Sequence, residues 1–357
     1  MATDNLPDFI SALVQAHQET CPKDSVQLVQ THISFVLLAG DVVYKFKKHV
    51  DFGFLDFSTL EKRLHCCEQE LQLNRRLCPD IYLDLVTVTQ TVTQEGDNYT
   101  LNPSNTPNTP NTPNKGGKVV EYGIKMSRMP EEQMMGNLIK AGQLEHRHID
   151  AIVDKLIPFY QQAAQTSEID GYGTAESVAI NVLENFDQTK DFISRRSGDN
   201  VALSQEQFDK ISSWSKEFLT QEDLFSQRVR AGNIRDCHGD LYSANICLAD
   251  KVYIYDCIEF NRRFRYCDVA SDIGFLAMDL DFHGLQELSA YCIEAFCQRS
   301  GDTTLKEMLN FYKCYRAYVR GKIGLFTAAD PAVDEAVKKS CLEAAGKYFT
   351  LAQGYTE

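Results

Sequence analysis

Three oxygen-bearing side chains stand out for what their types and spacing can do. In the run His238-Gly239-Asp240-Leu241-Tyr242-Ser243-Ala244-Asn245, a carboxylate and a carboxamide lie five positions apart, and Asp256 follows sixteen after Asp240. The flanking segments Asn245-Ile246-Cys247-Leu248 and Val252-Tyr253-Ile254-Tyr255 read as short strands turning at Ala249-Asp250-Lys251. A hairpin brings its ends together, so Asn245 and Asp256 are expected side by side, offering oxygen ligands to a hard cation such as magnesium. Asp240, on the preceding loop, would face the same point. A carboxylate there can orient an acceptor hydroxyl and take its proton while the cation neutralises charge developing on a transferring phosphoryl group. His238 is expected to brace the loop through hydrogen bonds.

Such a constellation needs a frame. Leu6, Phe9, Ile10, Leu13 and Val14 fall at helical spacing and predict an amphipathic helix at the start of the chain. Val26 to His32, Phe35 to Leu38 and Val42 to Lys47 are rich in β-branched and aromatic residues, with Ala39-Gly40-Asp41 supplying a turn, and predict antiparallel strands. A helix is expected over Ser58 to Leu77, with Ser58 and Glu61 in capping-box spacing and Pro79 just beyond its end. Leu83 to Val92 and Val119 to Met126 read as two more strands. The connection between them carries the Asn-Thr-Pro triplet three times over 105 to 113; about 102–118 is expected to be a disordered insertion, since it has nothing apolar to bury. Beyond Pro130 the pattern turns helical, with stripes near 149 to 160, 177 to 194, 207 to 230, 286 to 297, 304 to 325 and 333 to 353. The hairpin segment is the exception. Farther on, Asp268 and Asp272 stand four apart at an expected helix start, one to brace the catalytic loop through Arg265 and the other to cap the helix. Glu259 reads equally as a metal or acceptor contact and as an exposed carboxylate.

Bulk properties narrow the classes. The 357 residues suggest two lobes. No apolar stretch reaches the roughly 20 residues of a membrane helix, and the N-terminus lacks the basic start and apolar middle of a secretory signal, so no membrane association and a cytoplasmic location are expected. The twelve cysteines show no C-x-x-C pair and read as reduced, mostly buried thiols, with no zinc site. A formal charge of −14 argues against nucleic-acid binding and leaves cationic acceptors compatible.

The loop and Asp256 resemble the catalytic loop and metal-binding aspartate of protein kinases, and more closely the H-G-D-x-x-x-x-N pattern of the aminoglycoside phosphotransferase and choline kinase-like family. The resemblance implies an α+β, two-lobed protein-kinase-like fold: an N-terminal nucleotide-binding lobe, residues 1–130, of antiparallel sheet plus helix, and a mainly helical lobe, 131–357, containing the catalytic loop 238–245 and the metal-binding segment 252–260. It implies a strand lysine on the nucleotide phosphates and a helix glutamate that holds it, matched by Lys45 and Glu70. Lys47 projects from the same side of the strand and Glu68 lies two positions from Glu70, so each choice keeps a rival. The turn Thr31-His32-Ile33-Ser34 sits where the family covers the phosphates; it lacks the glycines of protein kinases, leaving Ser34 and backbone amides as the expected contacts. The segment Lys125 to Pro130 corresponds to the lobe hinge, so Ser127 and Met129 are expected to meet the adenine.

The resemblance sharpens through Thr31-His32-Ile33-Ser34, Asp51-Phe52-Gly53-Phe54-Leu55-Asp56-Phe57, Leu73-Asn74-Arg75-Arg76-Leu77 and Asp256-Cys257-Ile258-Glu259-Phe260-Asn261, which look like a poorly characterised bacterial branch. Its members are often fused to a C-terminal P-loop kinase domain. No G-x-x-x-x-G-K-S/T occurs here, so no second activity of that kind is expected. The expectation is a kinase that uses ATP, or another nucleoside triphosphate, with Mg2+ to phosphorylate a hydroxyl of a small molecule. A protein kinase or nucleotidyl transferase on the same scaffold, and a nucleotide-binding pseudokinase serving as an interaction module, are the alternatives. No protein partner can be named from the sequence.

Overall fold

The structure, a computed structural model, describes residues 6–22, 25–94, 96–103, 117–193 and 202–357. The chain divides into two compact units, Met1–Gln133 with Tyr253–Asn261, and Met134–Val252 with Arg262–Glu357. Sequence placed all of 252–260 with the helical lobe; here most of that segment belongs to the first unit.

The first unit is built on a six-stranded antiparallel sheet. Helix α1 (Asp8–Thr20) is followed by β1 (Val26–Gln30), β2 (Ser34–Ala39) and β3 (Val42–Lys47), then α2 (Leu60–Asn74), β4 (Tyr82–Thr93), β5 (Gly96–Pro103) and β6 (Lys118–Ser127). The spatial order is β1-β2-β3-β6-β4-β5. Ile10 and Leu13 of α1 join Leu37, Phe46 and Val88 in one core, where full burial of each large apolar side chain is worth roughly 1.5–3 kcal/mol. Alternation along β3 sends Val43 and Lys45 to one face and Tyr44 and Phe46 to the other, so burying Phe46 fixes where Lys45 points. Pairing of β3 with β6 requires a glycine at 123, because a Cβ there would fall 2.5 Å from the Phe46 ring.

Two local expectations change. The capping pair at the start of α2 is Thr59, whose hydroxyl accepts from the Lys62 amide, rather than Ser58 with Glu61. Ser58 instead hydrogen-bonds Asp56. The connection after β4 also carries a strand of its own: β5 pairs with β4 from Val86–Pro103 to Thr93–Gly96. The triplets lie outside the described residues.

The second unit is mainly helical: α3 (Met135–Lys140), α4 (His146–Gln162), α5 (Ser167–Asp170), α6 (Ala175–Thr189), α7 (Gln205–Phe218), α8 (Glu222–Arg230), α9 (Arg262–Arg265), α10 (Val269–Phe282), α11 (Gln286–Ser300), α12 (Leu305–Ala329) and α13 (Glu335–Gly354). The stripe expected over 207 to 230 is thus two helices, broken at 219–221. Strand β7 (Ile234–Asp236) leads into the His238 loop, and both strands expected after it form, β8 (Ile246–Leu248) and β9 (Val252–Ile254). Strand β10 (Tyr266–Asp268) pairs with β7 and feeds directly into α10, which is buried along almost its whole length. No helix among the described residues is long and apolar enough to cross a membrane.

Candidate functional site

In the first unit, α2 and β3 bring charged side chains onto the segment around Asp256. The Lys45 ammonium donates to Glu70 Oε1 at 2.8 Å and to Asp256 Oδ1 at 2.5 Å. Lys47 donates to the other oxygen of Glu70 at 2.8 Å and to Glu259. One carboxylate therefore bridges two lysines, and each lysine has a second carboxylate of its own. The two pairs differ in exposure: side chains of Lys45 and Asp256 are 16% and 43% exposed, those of Lys47 and Glu259 2% and 6%. Burial opposes the charge of both lysines, but the facing carboxylates overcome it and raise both pKa values. Burial likewise works against ionised Glu70, yet two adjacent ammonium groups hold its pKa below the usual range. Burial, with Glu70 nearby, pushes Glu259 upward despite Lys47.

Asp256 is the only non-glycine residue with a positive φ, 63°, among the described residues. Aspartate tolerates this left-handed conformation better than most residues, and such positions concentrate at working sites. The turn is fixed from α2 and β4: the Asp256 amide donates to Tyr82 Oη at 3.3 Å, and the Cys257 amide to Asn74 Oδ1 at 2.9 Å. Asn74 also donates to the Glu70 carbonyl, so the helix that carries Glu70 anchors the aspartate turn as well.

In the second unit, the His238 loop is organised by a carboxylate receiving backbone amides. Asp272, on the first turn of α10, accepts from the amides of His238 at 2.8 Å and Gly239 at 2.9 Å, and from Tyr160 Oη at 3.1 Å. Gly239 has φ 84°, which glycine adopts without a Cβ penalty. Its carbonyl accepts from Arg316 at 2.9 Å. His238 is fully buried, and its Nδ1 accepts from the Asp240 amide at 3.2 Å. Asn245 Nδ2 donates to both the Asp240 carbonyl and Oδ2 at 2.9 Å, which leaves the Asn245 carboxamide oxygen for another donor or a cation. The Ser243 amide donates to Asp279 at 2.9 Å.

The residues singled out by sequence fall into these two groups. Lys45, Glu70 and Asp256 assemble in the first unit; of the rivals, Lys47 shares Glu70, whereas Glu68 is half-buried and no ion pair among the described residues involves it. Ser34 opens β2 with its hydroxyl buried and unpartnered, and its amide donates to Thr31 Oγ1 at 2.9 Å. The Ser127 amide is taken by the Ile81 carbonyl and the Arg128 amide by that of Asp41, while no hydrogen bond among the described residues involves Met129. His238, Asp240 and Asn245 assemble in the second unit. Asp272 braces the loop directly; Arg265 pairs with Asp236 at 2.5 Å, and Asp268 caps α10 and grips Arg228. Glu259 is a buried partner of Lys47 and not an exposed carboxylate. Sequence reasoning missed Asn74, Asp279 and Arg316; only the Leu73–Leu77 run gave any signal, for Asn74. No group of three or more His, Cys, Asp or Glu among the described residues could hold a metal unaided.

This architecture is kinase-like, α+β, with a curled antiparallel sheet in one unit and helices in the other. It matches the solved choline kinase of Cryptosporidium parvum over 97% of this chain and 95% of that one, with a TM-score of 0.50 at 10% identity. A choline/ethanolamine kinase family protein of Mesorhizobium loti aligns over 97% and 99% with a TM-score of 0.49, also at 10% identity. No family model matches. Uncharacterized proteins of Mycobacterium bovis and Mycobacterium tuberculosis are 33% identical over 300 residues, 84% of this chain and 54% of theirs. The chain thus spans about half the length of the curated relatives it matches.

Proposed function

We propose that this chain is a magnesium-dependent phosphotransferase moving the γ-phosphoryl group of ATP, or another nucleoside triphosphate, to a hydroxyl of a small molecule. The observation that carries this reading is the Lys45 ammonium held between Glu70 and Asp256 on a partly open face. Lys45 is the phosphate-binding lysine, because it is the exposed member of the pair. Lys47, closed off with Glu259, secures Glu70 in place. Asp256 in the first unit, and independently the Asn245 carboxamide oxygen in the second, are each the kind of ligand a magnesium ion takes, since it typically uses one or two protein oxygens and completes its shell with phosphates and water. When bound, magnesium neutralises charge on the phosphates. The Met129 backbone, unengaged among the described residues, suits the adenine edge. The Ser34 hydroxyl, a donor without a partner, suits a phosphate oxygen.

In the proposed step Asp240 orients the acceptor hydroxyl and takes its proton. The acceptor oxygen forms a bond to the γ-phosphorus, the bond to the bridging oxygen breaks, and the nucleoside diphosphate leaves with that electron pair. Asn245 and the amides on Asp272 keep Asp240 in position. Incubation with labelled ATP, magnesium and a broad metabolite pool, read by mass spectrometry, tests the assignment. Label should appear on a hydroxylated small molecule, and Asp240→Asn should lower turnover roughly 10²–10⁴-fold with ATP binding retained. ATP that is never consumed, with Asp240→Asn indistinguishable from the parent, would sink the proposal; label transferred as nucleotide would replace it with nucleotidyl transfer.

A further inference from the structure

Arg320 on α12 is placed unlike the other shielded arginines of the described residues. Arg63 has Glu121 and the Phe57 carbonyl, Arg228 has Asp268 and Asp302, Arg265 has Asp236, and Arg316 has the Gly239 carbonyl and Ser271. Among the described residues Arg320 has no ion pair and its Nε is shielded from solvent without a hydrogen-bond partner, the Tyr348 hydroxyl being the polar group set against its guanidinium. Its guanidinium lies 4.8 Å from the ring centre of Tyr242 and 5.8 Å from that of Tyr348. Those rings are backed in turn, Tyr242 by Phe275 at 5.3 Å and 5°, Tyr348 by Phe282 at 3.9 Å and 10°. The array Phe275, Tyr242, Arg320, Tyr348, Phe282 thus fixes a planar cation beside the loop, and the charge of Asp240 is felt at it.

Arg320 is half-buried, and leaving its shielded Nε without an acceptor costs free energy that aromatic faces return only in part. The arrangement makes sense where a ligand brings the anion. The surrounding carboxylates are committed elsewhere: Asp272 to the loop amides, Asp279 to the Ser243 amide and near His283, Asp281 to Lys313 and Tyr355. Arg316 adds a second guanidinium under the influence of Asp240.

We propose that Arg320, walled by Tyr242 and Tyr348, is an anion subsite for the acceptor, so that the molecule offering its hydroxyl to Asp240 carries a carboxylate or a phosphate and not an ammonium. Guanidinium planarity suits the bidentate geometry of either anion. The inference rests on Asp240 as the base, but its test does not depend on turnover. Binding of glycerate and glycerol 3-phosphate to the full chain, measured by calorimetry without nucleotide, is compared with that of choline and ethanolamine. At least one anionic probe should bind and the cations should not; which anion binds tells carboxylate from phosphate. Arg320→Gln should weaken that binding roughly ten- to a hundredfold, with Arg320→Lys intermediate and ATP affinity unchanged in both as evidence of folding. Binding of choline or ethanolamine in preference, no binding of either anion at millimolar concentration, or anion affinity unaltered in the folded variants overturns the proposal. Anion binding in a protein that transfers no phosphate would leave the subsite standing and the kinase reading fallen.

Discussion

The Lys45–Glu70–Asp256 cluster and the His238 loop solve the same problem, the immobilisation of a carboxylate, by different means. In the first unit the carboxylates face ammonium groups in a buried setting. Two lysines serve three carboxylates, and the pKa of Glu70 is lowered while that of Glu259 is raised. In the second unit Asp240 is set by the Asn245 carboxamide and by a loop whose amides converge on Asp272. A carboxylate that must receive a proton is better placed by neutral donors, since a cation in contact would stabilise its ionised form. A lysine that must meet a polyanion is better held by carboxylates that fix its position. The contrast teaches which charges belong to binding and which to chemistry.

The contrast can be broken most sharply at Lys47. Lys47→Met leaves Glu259 buried without its cation and should cost about 3–5 kcal/mol in chemical denaturation, with much of that recovered in Lys47→Met/Glu259→Gln. Lys45→Met, on the open side, should cost less stability and weaken ATP binding more. Equal stability losses at the two lysines would erase the distinction drawn between them.

Acid titration probes the same cluster. Glu70 has a depressed folded pKa, so its contribution is present above the unfolded carboxylate value of about 4.3 and is lost as pH falls through the folded one. Glu259 has the opposite sign: its raised folded pKa makes the ionised form a liability, relieved on acidification. Urea unfolding should therefore find Glu259→Gln more stable than the parent near neutrality, the gap closing towards about pH 3. A constant gap across that range would refute the assignment.

For the loop, Asp272→Asn replaces one acceptor oxygen by a donor facing amides. Roughly 1–3 kcal/mol of destabilisation is expected, with kcat lowered and ATP affinity kept. Lost ATP affinity with normal kcat would mean that Asp272 does not serve the loop. The smallest effect is expected at Thr59→Ala, which removes a cap at the far end of the helix bearing Glu70: about 1 kcal/mol of stability, with no change in turnover per folded molecule. A fall in turnover there would show that Glu70 depends on the helix as a whole.

Much of this was legible in one dimension because the signals are local. Alternation along Val42–Lys47 and the stripe and proline around α2 placed Lys45 and Glu70 on their elements, and H-G-D-x-x-x-x-N marked the loop. Strand β5 was missed because its residues, Gly96 to Pro103, have little apolar alternation; pairing with β4 stabilises it. Asp272 was placed on its helix, but its hydrogen bonds to amides 33 and 34 residues earlier follow from the pairing of β7 with β10.

The sequence by itself determined the element types, the H-G-D-x-x-x-x-N loop and the candidate lysine and glutamate, since periodicity and motif spacing act over a few residues. Only the tertiary structure decided that Lys47 and Glu259 are a closed pair while Lys45 and Asp256 stay open, that Asn74 ties the aspartate turn to α2, and that Arg320 stands among aromatic rings with its Nε unpartnered among the described residues. Burial and pairing are properties of residues brought together across hundreds of positions. No local pattern encodes how much water a charge retains, and that quantity separates a structural ion pair from one able to meet a ligand.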